Sequence, residues 1–360
     1  MADQRVENFA KLLVRYSIYA KPGETIGVEG PDTTAPLMAA VYEELLRAGA
    51  FPVIRMAPVG LTEIFMKHGQ DLHFDHLPKF EMAYAKSVDG TIRVMGSANT
   101  RALSSTDPTR MARFARARKA VRKILLAKKW SLTLFPTEAY AQDAEMSLRE
   151  FEDFVYRANL LHLDDPVSAW QAEERKQKQL IHKLRNADEV RIVGPGTDLR
   201  MSVKGRTFIP SVATHNVPSG EIFTGPVETS AEGYIRYDFP VCEGGREIDG
   251  IRLVFRKGLV VEATADKNQD YLRKMLEMDP GAKRLGELGI GTNYDIQRFI
   301  KNILFDEKIG GTIHLALGES YTETGGKNKS ALHWDMIKDL RQEGALYVDG
   351  KLFQKNGKFV

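Results

Sequence analysis

The sequence predicts an α/β protein of two domains: an N-terminal open α/β domain with parallel strands over residues 1–185, and a C-terminal α+β domain over residues 186–360. Three observations carry that expectation. Residues 25–56 read as strand, helix, strand, and a crossover of this length joins parallel strands with right-handed sense. The stretch 168–186 is dense in charge and poor in glycine, and the boundary is placed there. Beyond it the chain turns to short alternating runs separated by turn residues, the pattern of a β-rich domain. With 360 residues, 43% hydrophobic and 28% charged, the chain is also long and apolar enough for about two cores. A disordered or fibrous protein is excluded.

Taken in order, Val6, Phe9, Ala10, Leu13 and Tyr16 recur at helical spacing until Lys21-Pro22-Gly23 breaks the pattern. Residues 25–29 form the first predicted strand. Asp32 or Thr33 then caps a helix carrying Leu37, Val41 and Leu45, and Gly49 stops it before a strand at 51–56. Strands near 91–95 and 130–135 extend the layer, with a helix between them. Ser147-Leu148-Arg149-Glu150 has capping-box spacing and predicts a helix to about residue 159. In the second domain, strands are expected at 189–194, 199–203, 251–256 and 259–263, the last two joined by a tight turn at Lys257-Gly258. Helices are expected over 269–278 and 294–304, and Asp349-Gly350 and Asn356-Gly357 signal a closing meander. There is no internal repeat.

Composition narrows the setting. Fifty-one Lys and Arg against forty-eight Asp and Glu leave a net charge of +3, too balanced to argue for a nucleic-acid or membrane partner. One cysteine, Cys242, forms no internal disulfide, and the start of the chain shows no basic segment followed by an apolar core. No window approaches the run of about 18 apolar residues that a spanning helix needs. These features predict a soluble cytoplasmic protein.

Among eight histidines, two have suggestive company. In His333-Trp334-Asp335 an extended backbone turns the imidazole and the carboxylate to one face, as two ligands of one metal require. His314 lies in the apolar run 312–318, where the ordinary expectation is a hydrogen-bonded core histidine. Glu221 follows the turn Pro218-Ser219-Gly220, and Glu287 lies among Gly286, Gly289 and Gly291; both segments read as turn-like, and a buried carboxylate in either demands a counter-charge. Together these residues give three carboxylates and two imidazoles, enough to hold two divalent ions with one shared carboxylate. Carboxylates with imidazoles and no thiol suit zinc, cobalt or manganese.

On these residues the chain resembles the thermophilic aminopeptidase T family of metallopeptidases, which includes AmpS and PepS. The resemblance rests on Gly196-Thr197-Asp198-Leu199, on 216–224 with 226–233, on 286–293, 314–318, Tyr321 and His333-Trp334-Asp335, and in the first half on 97–100, 105–108 and 146–151. It implies that Glu221 bridges two divalent metal ions and that Glu287, His314, His333 and Asp335 are the other ligands. It also implies that Tyr321 is the active-site tyrosine, that peptides with a free N-terminus are the substrates, and that the protein is a homodimer. A metal-activated water would then hydrolyse the first peptide bond. Glu287 or Glu221 would take the proton of that water, and the residues do not choose between them. The Tyr321 hydroxyl, neutral near pH 7, would donate to the developing oxyanion. The chain is shorter than the usual member, and its segment 319–330 is compact and rich in Gly, Lys and Asn, but no ligand position is lost.

Other readings compete. A member of the same family could bind peptides without cleaving them or keep metals only for structure. The segment 101–129 carries ten Arg and Lys against Asp107 alone and could face nucleic acid, although Met111, Phe114, Ala117, Val121 and Leu125 give it the core-facing stripe of an amphipathic helix, so no nucleic acid is expected. His73-Phe74-Asp75-His76 is read as a loop or surface turn, and the glycines at 194–196 and 286–291 lack the Lys-Ser or Lys-Thr of a phosphate loop.

Overall fold

The fold is described from a computed structural model covering residues 3–243 and 246–360. The chain divides into two compact units, one of Met1–Trp170 with Ala213–Pro218 and one of Gln171–Val212 with Ser219–Val360. The division falls inside the helix Pro166–Leu184, ahead of the 185/186 boundary read from composition. Among the described residues no helix is long and apolar enough to cross a membrane.

In the first unit the Asp3 carboxylate accepts from the Arg5 N–H and caps the helix Gln4–Lys11, which continues through a wider π-type turn, Leu12–Ser17. Its apolar face buries Phe9, Leu12, Leu13 and Val14 completely. The expected β-α-β unit is present as Thr25–Pro31, Ala35–Arg47 and Phe51–Ala57, the two strands parallel with Val28 opposite Ile54. Five parallel strands run in the order Phe51–Ala57, Thr25–Pro31, Gly90–Met95, Lys129–Leu134 and Asn216–Val217. The fifth comes from the distant segment 213–218, too short for the sequence to mark as a strand. Gly27 is required on the second strand, because a Cβ there would lie 1.8 Å from the Tyr84 hydroxyl oxygen. Ile26, Val28 and Ile92 are fully buried; at about 1.5–3 kcal/mol per side chain, such residues hold this layer. The edge strand Phe51–Ala57 leaves Phe51, Val53, Ile54 and Met56 exposed.

Two expectations for this unit are revised. The segment His73-Phe74-Asp75-His76 is mostly helical, within Asp71–Asp75: Gln70 N–H donates to His73 Nδ1, Phe74 is buried, and Asp75 pairs with Arg113. The basic stretch forms two helices, Pro108–Ala117 and Lys119–Leu126, rather than one. Several of its charges are engaged within the unit: Arg113 with Asp71 and Asp75, Arg118 with Glu81, and Lys128 with three backbone carbonyls. The Ser147–Glu150 capping box forms as predicted and opens the helix Leu148–Ala158.

The second unit holds an eight-stranded sheet in the order Leu259–Thr264, Arg252–Arg256, Glu232–Arg236, Thr197–Ser202, Glu189–Gly194, Ala345–Val348, Lys351–Lys355 and Lys358–Phe359. The predicted meander closes it, with Asp349-Gly350 and Asn356-Gly357 all at positive φ, the geometry of two-residue hairpin turns. A five-stranded antiparallel sheet runs His333–Asp339, Thr312–Gly318, Leu285–Gly291, Glu221–Thr224 and Ile209–Ser211. The expected helix over 294–304 is replaced by irregular chain ending in the single turn Ile303–Asp306. The buried Asp306 carboxylate accepts from the N–H groups of Ile300 and Asn302, and this local bonding, with Lys301 at φ +61°, competes with a helix.

Candidate metal centre

Opposed residues of antiparallel strands share a face, so register alone places the candidate ligands together. Glu221 lies opposite Gly291, Gly289 opposite His314, Glu287 opposite Ala316, Ala316 opposite Asp335, and Gly318 opposite His333. Glu221, Glu287, His314, His333 and Asp335 therefore occupy one face of the five-stranded sheet. Glu221 and Glu287 are both on strands, not in turns. The glycines that suggested a turn instead clear space: a Cβ at Gly289 would lie 2.0 Å from the His314 ring, and one at Gly286 would lie 2.4 Å from the Glu319 carbonyl. All seven residues of the Leu285–Gly291 strand are buried.

The two imidazoles are held alike. His314 Nδ1 is 2.9 Å from the Glu307 carbonyl oxygen, and His333 Nδ1 is 2.9 Å from the Glu319 carbonyl oxygen. A carbonyl only accepts, so Nδ1 carries the proton in both rings and Nε2 is left to bind a cation or a second proton. His314 Nε2 faces Glu221 Oε2 at 3.1 Å and Glu287 Oε1 at 3.6 Å. His333 Nε2 faces Glu287 Oε2 at 3.3 Å and Asp335 Oδ2 at 3.5 Å. Glu287 meets both imidazoles, one oxygen to each, at 3.6 and 3.3 Å, and Asp335, paired with His333, also lies within 4.8 Å of His314.

Charge balance is the central problem of this face. Burial raises the Glu287 carboxyl, but His314 and His333 outweigh it and hold the group down at about 2. Burial acts the same way on Glu221, where Lys308 and His314 reverse it. The imidazoles respond in kind: burial lowers His333, yet Asp335 and Glu287 raise it to about 10, and Glu221 and Glu287 raise His314 well above its usual value. Asp335 stays raised, by burial first. Even so, Asp335 Oδ1 is buried without a hydrogen bond from the described residues, and Glu221 Oε2 has the His314 ring beside it at 3.1 Å. Buried carboxylates beside two Nε2 atoms fit divalent cations, and three groups, Glu221 with Glu287 and His314, Glu287 with His333 and Asp335, and Glu307 with His314 and Asp335, each bring ligand atoms within 4.8 Å of one another.

Tyr321 lies at the rim, 44% exposed, its ring packed edge-on against Phe223 and His333 at 5.5 and 5.1 Å. Burial and the carboxylates of Glu287 and Asp335 push its hydroxyl well up, so it is a neutral O–H donor. Three nearby residues escaped the sequence reading. Lys308 is fully buried, in ion pairs with Glu307 and, at 3.6 Å, with Glu221. Burial raises the Glu307 carboxyl to about 7 against the pull of Lys308, while Glu307 and Glu221 keep Lys308 charged. Cys242, noted in the sequence only as the single cysteine, lines a cavity together with His333 and Asp335. The Glu-Lys pair directly before Ile309-Gly310-Gly311 was the available signal, since two ionisable residues there adjoin the mostly apolar run 312–318.

Comparison with known proteins identifies the family and the fold. The family model described as thermophilic metalloprotease (M29) matches residues 2–359. The chain is 28% identical to Aminopeptidase 2 of Geobacillus stearothermophilus, covering 97% of this chain and 95% of that protein. It is 25% identical to Aminopeptidase T of Thermus thermophilus, covering 96% of each, and 25% identical to Aminopeptidase PepS of Streptococcus thermophilus, covering 96% and 94%. The solved structure of wild-type AmpT from Thermus thermophilus shares the fold, with a TM-score of 0.87 at 23% identity over 99% of both chains.

Proposed function

The chain belongs to the thermophilic metalloprotease family M29, and from that premise we propose that it is an aminopeptidase that removes the N-terminal residue of peptides at a site for two divalent ions. The observation that carries this reading is Glu287, a buried carboxylate whose two oxygens each face the Nε2 of a different imidazole. The names of the relatives support the peptide substrate. Bound divalent cations, zinc, cobalt or manganese by the donor set, would supply Lewis acidity toward the scissile carbonyl, a more acidic water and a seat for a free amino group.

The residue roles follow from what each group faces. We give the shared-ligand role to Glu287 rather than to Glu221, which the sequence resemblance favoured. Glu221 with His314 completes one position, and His333 with Asp335 the other. Proton acceptance goes to Glu307 in place of the two glutamates considered from sequence, because its carboxylate lies within 4.8 Å of the ligand atoms of His314 and Asp335 and burial raises it above the usual carboxylate range. Tyr321 donates its hydroxyl to the developing oxyanion. The exposed apolar edge strand Phe51–Ala57 supports a homodimer formed through the first unit, and the single cysteine accords with a cytoplasmic setting.

Release of free amino acid from unblocked and N-acetylated peptides, by protein stripped with chelator and then reloaded, tests the reading. Cleavage confined to unblocked peptides and restored by metal is expected; no cleavage by metal-loaded protein, or equal cleavage of blocked peptides, overturns it. Glu307→Gln should lower kcat about 100- to 10,000-fold with metal content unchanged. Loss of metal in that variant would move Glu307 into the ligand set.

A further inference from the structure

Beside the metal-centre residues lies a partly enclosed cavity of about 80 Å³. Its walls come from three places in the second unit: Pro240, Val241 and Cys242 at the start of the strand Val241–Glu243, Phe299 to Asp306 in the irregular segment, and His333 to Ile337 on the edge strand. Val241, Phe299, Ile303 and Ile337 supply the hydrocarbon part of the wall. Four lining residues are Lys, His or Asp, and all four are already engaged: His333 and Asp335 belong to the ligand cluster. Lys301 lies 3.5 Å from the Glu247 carboxylate, and the Asp306 carboxylate accepts two backbone N–H groups.

We propose that this cavity receives the side chain of the substrate's N-terminal residue and selects a branched aliphatic group, as in leucine or valine. The inference rests on the aminopeptidase reading and extends it. In an N-terminal residue one carbon lies between the amino nitrogen and the scissile carbonyl, so a site that holds both of those groups directs the side chain into an adjoining wall. His333 and Asp335 belong both to the ligand cluster and to the cavity lining, which makes this the adjoining wall. Size sets the upper limit: a cavity of about 150 Å³ admits benzene, and one of about 80 Å³ suits an isobutyl or isopropyl group and excludes an indole. Charge sets the other limit. A basic side chain meets Lys301, and an acidic one must displace Glu247 from it.

Initial rates on dipeptides differing only in the first residue test the proposal with metal-loaded protein. Leucine should exceed alanine roughly 50-fold in kcat/KM, the effect of burying three further carbons, and tryptophan, lysine and glutamate should fall below alanine. Cys242→Phe, which fills the cavity from its wall, should bring the leucine-to-alanine ratio near one, as should Ile303→Trp at the half-exposed rim. Turnover of every dipeptide with the ratio unchanged in both variants overturns the pocket and leaves the aminopeptidase reading standing. Failure of all dipeptides overturns that reading instead, and the pocket is then judged by calorimetry on the native protein with 3-methylbutylamine and ethylamine. Binding of the branched amine at least about 10-fold tighter supports it, and equal affinity overturns it.

Discussion

Each unit contains a five-stranded sheet, and the two put burial to opposite uses. The parallel sheet of the first unit buries hydrocarbon: Ile26, Val28, Ile92 and Val94 face a core made of like residues. The antiparallel sheet of the second unit buries Glu221, Glu287 and His314 on one face while Leu288, Ile290, Ile313 and Leu315, on the alternate positions, enter the core. The comparison teaches where stability and activity separate. An apolar layer is complete once it is packed. A buried carboxylate layer is complete only when every polar atom has a partner, and here Asp335 Oδ1 lacks one among the described residues.

The sharpest way to break this contrast is to neutralise the shared carboxylate. Glu287→Gln should cut turnover by about 1,000-fold or more, in the range that loss of one main electrostatic contributor produces, and should reduce bound metal at both positions, as read by metal analysis after dialysis. Glu221→Gln should lose metal at the His314 position alone. If both variants lose the same single ion, Glu287 is not shared. The matching change in the apolar sheet, Ile26→Ala, should cost about 2–5 kcal/mol of stability in denaturant unfolding, with activity per folded molecule preserved; lost activity there would erase the separation.

Subtler changes sharpen it. Gly289→Ala pushes a methyl against the His314 ring without touching any charge, and should weaken metal binding about 10- to 100-fold in competition with a chelator. Normal affinity would show that the ring needs no cleared space. The smallest effect concerns pH. In chelated protein His333 titrates at about 10, above its ordinary 6.5, because Asp335 and Glu287 overcome burial. A raised pKa stabilises fully below about 6.5 and is lost as pH climbs toward 10. The Tm of chelated protein should therefore fall by a few degrees across that window, while metal-loaded protein, whose Nε2 carries no proton, should not show the drop.

The fold was legible where local patterning and turn chemistry agree. The β-α-β unit, the Ser147–Glu150 capping box and the Asp349-Gly350 and Asn356-Gly357 turns all follow from short-range rules. His333 and Asp335 fall on one face because strand periodicity is two. Leu285–Gly291 misled because glycine ordinarily signals a turn, whereas here it makes room for a ring donated by the next strand, and no single segment contains that information. Glu307 and Lys308 left only a faint trace, the ionisable pair ahead of an apolar run, because their burial is created by the tertiary fold. The helix expected at 294–304 failed because one buried carboxylate, Asp306, gathers the N–H groups of Ile300 and Asn302 that a helix would have used.

Both imidazoles are oriented by main-chain carbonyls, those of Glu307 and Glu319. Every amino acid brings a carbonyl, so the aim of the two rings is insulated from point substitution at the residues that set it. Replacing Glu307 changes the acid–base chemistry of the site and leaves the anchor of His314 in place. The positions where drift could misalign the rings are those that steer the main chain, such as Gly318 at φ +104°. This part of the centre can therefore vary widely in sequence while its geometry stays fixed.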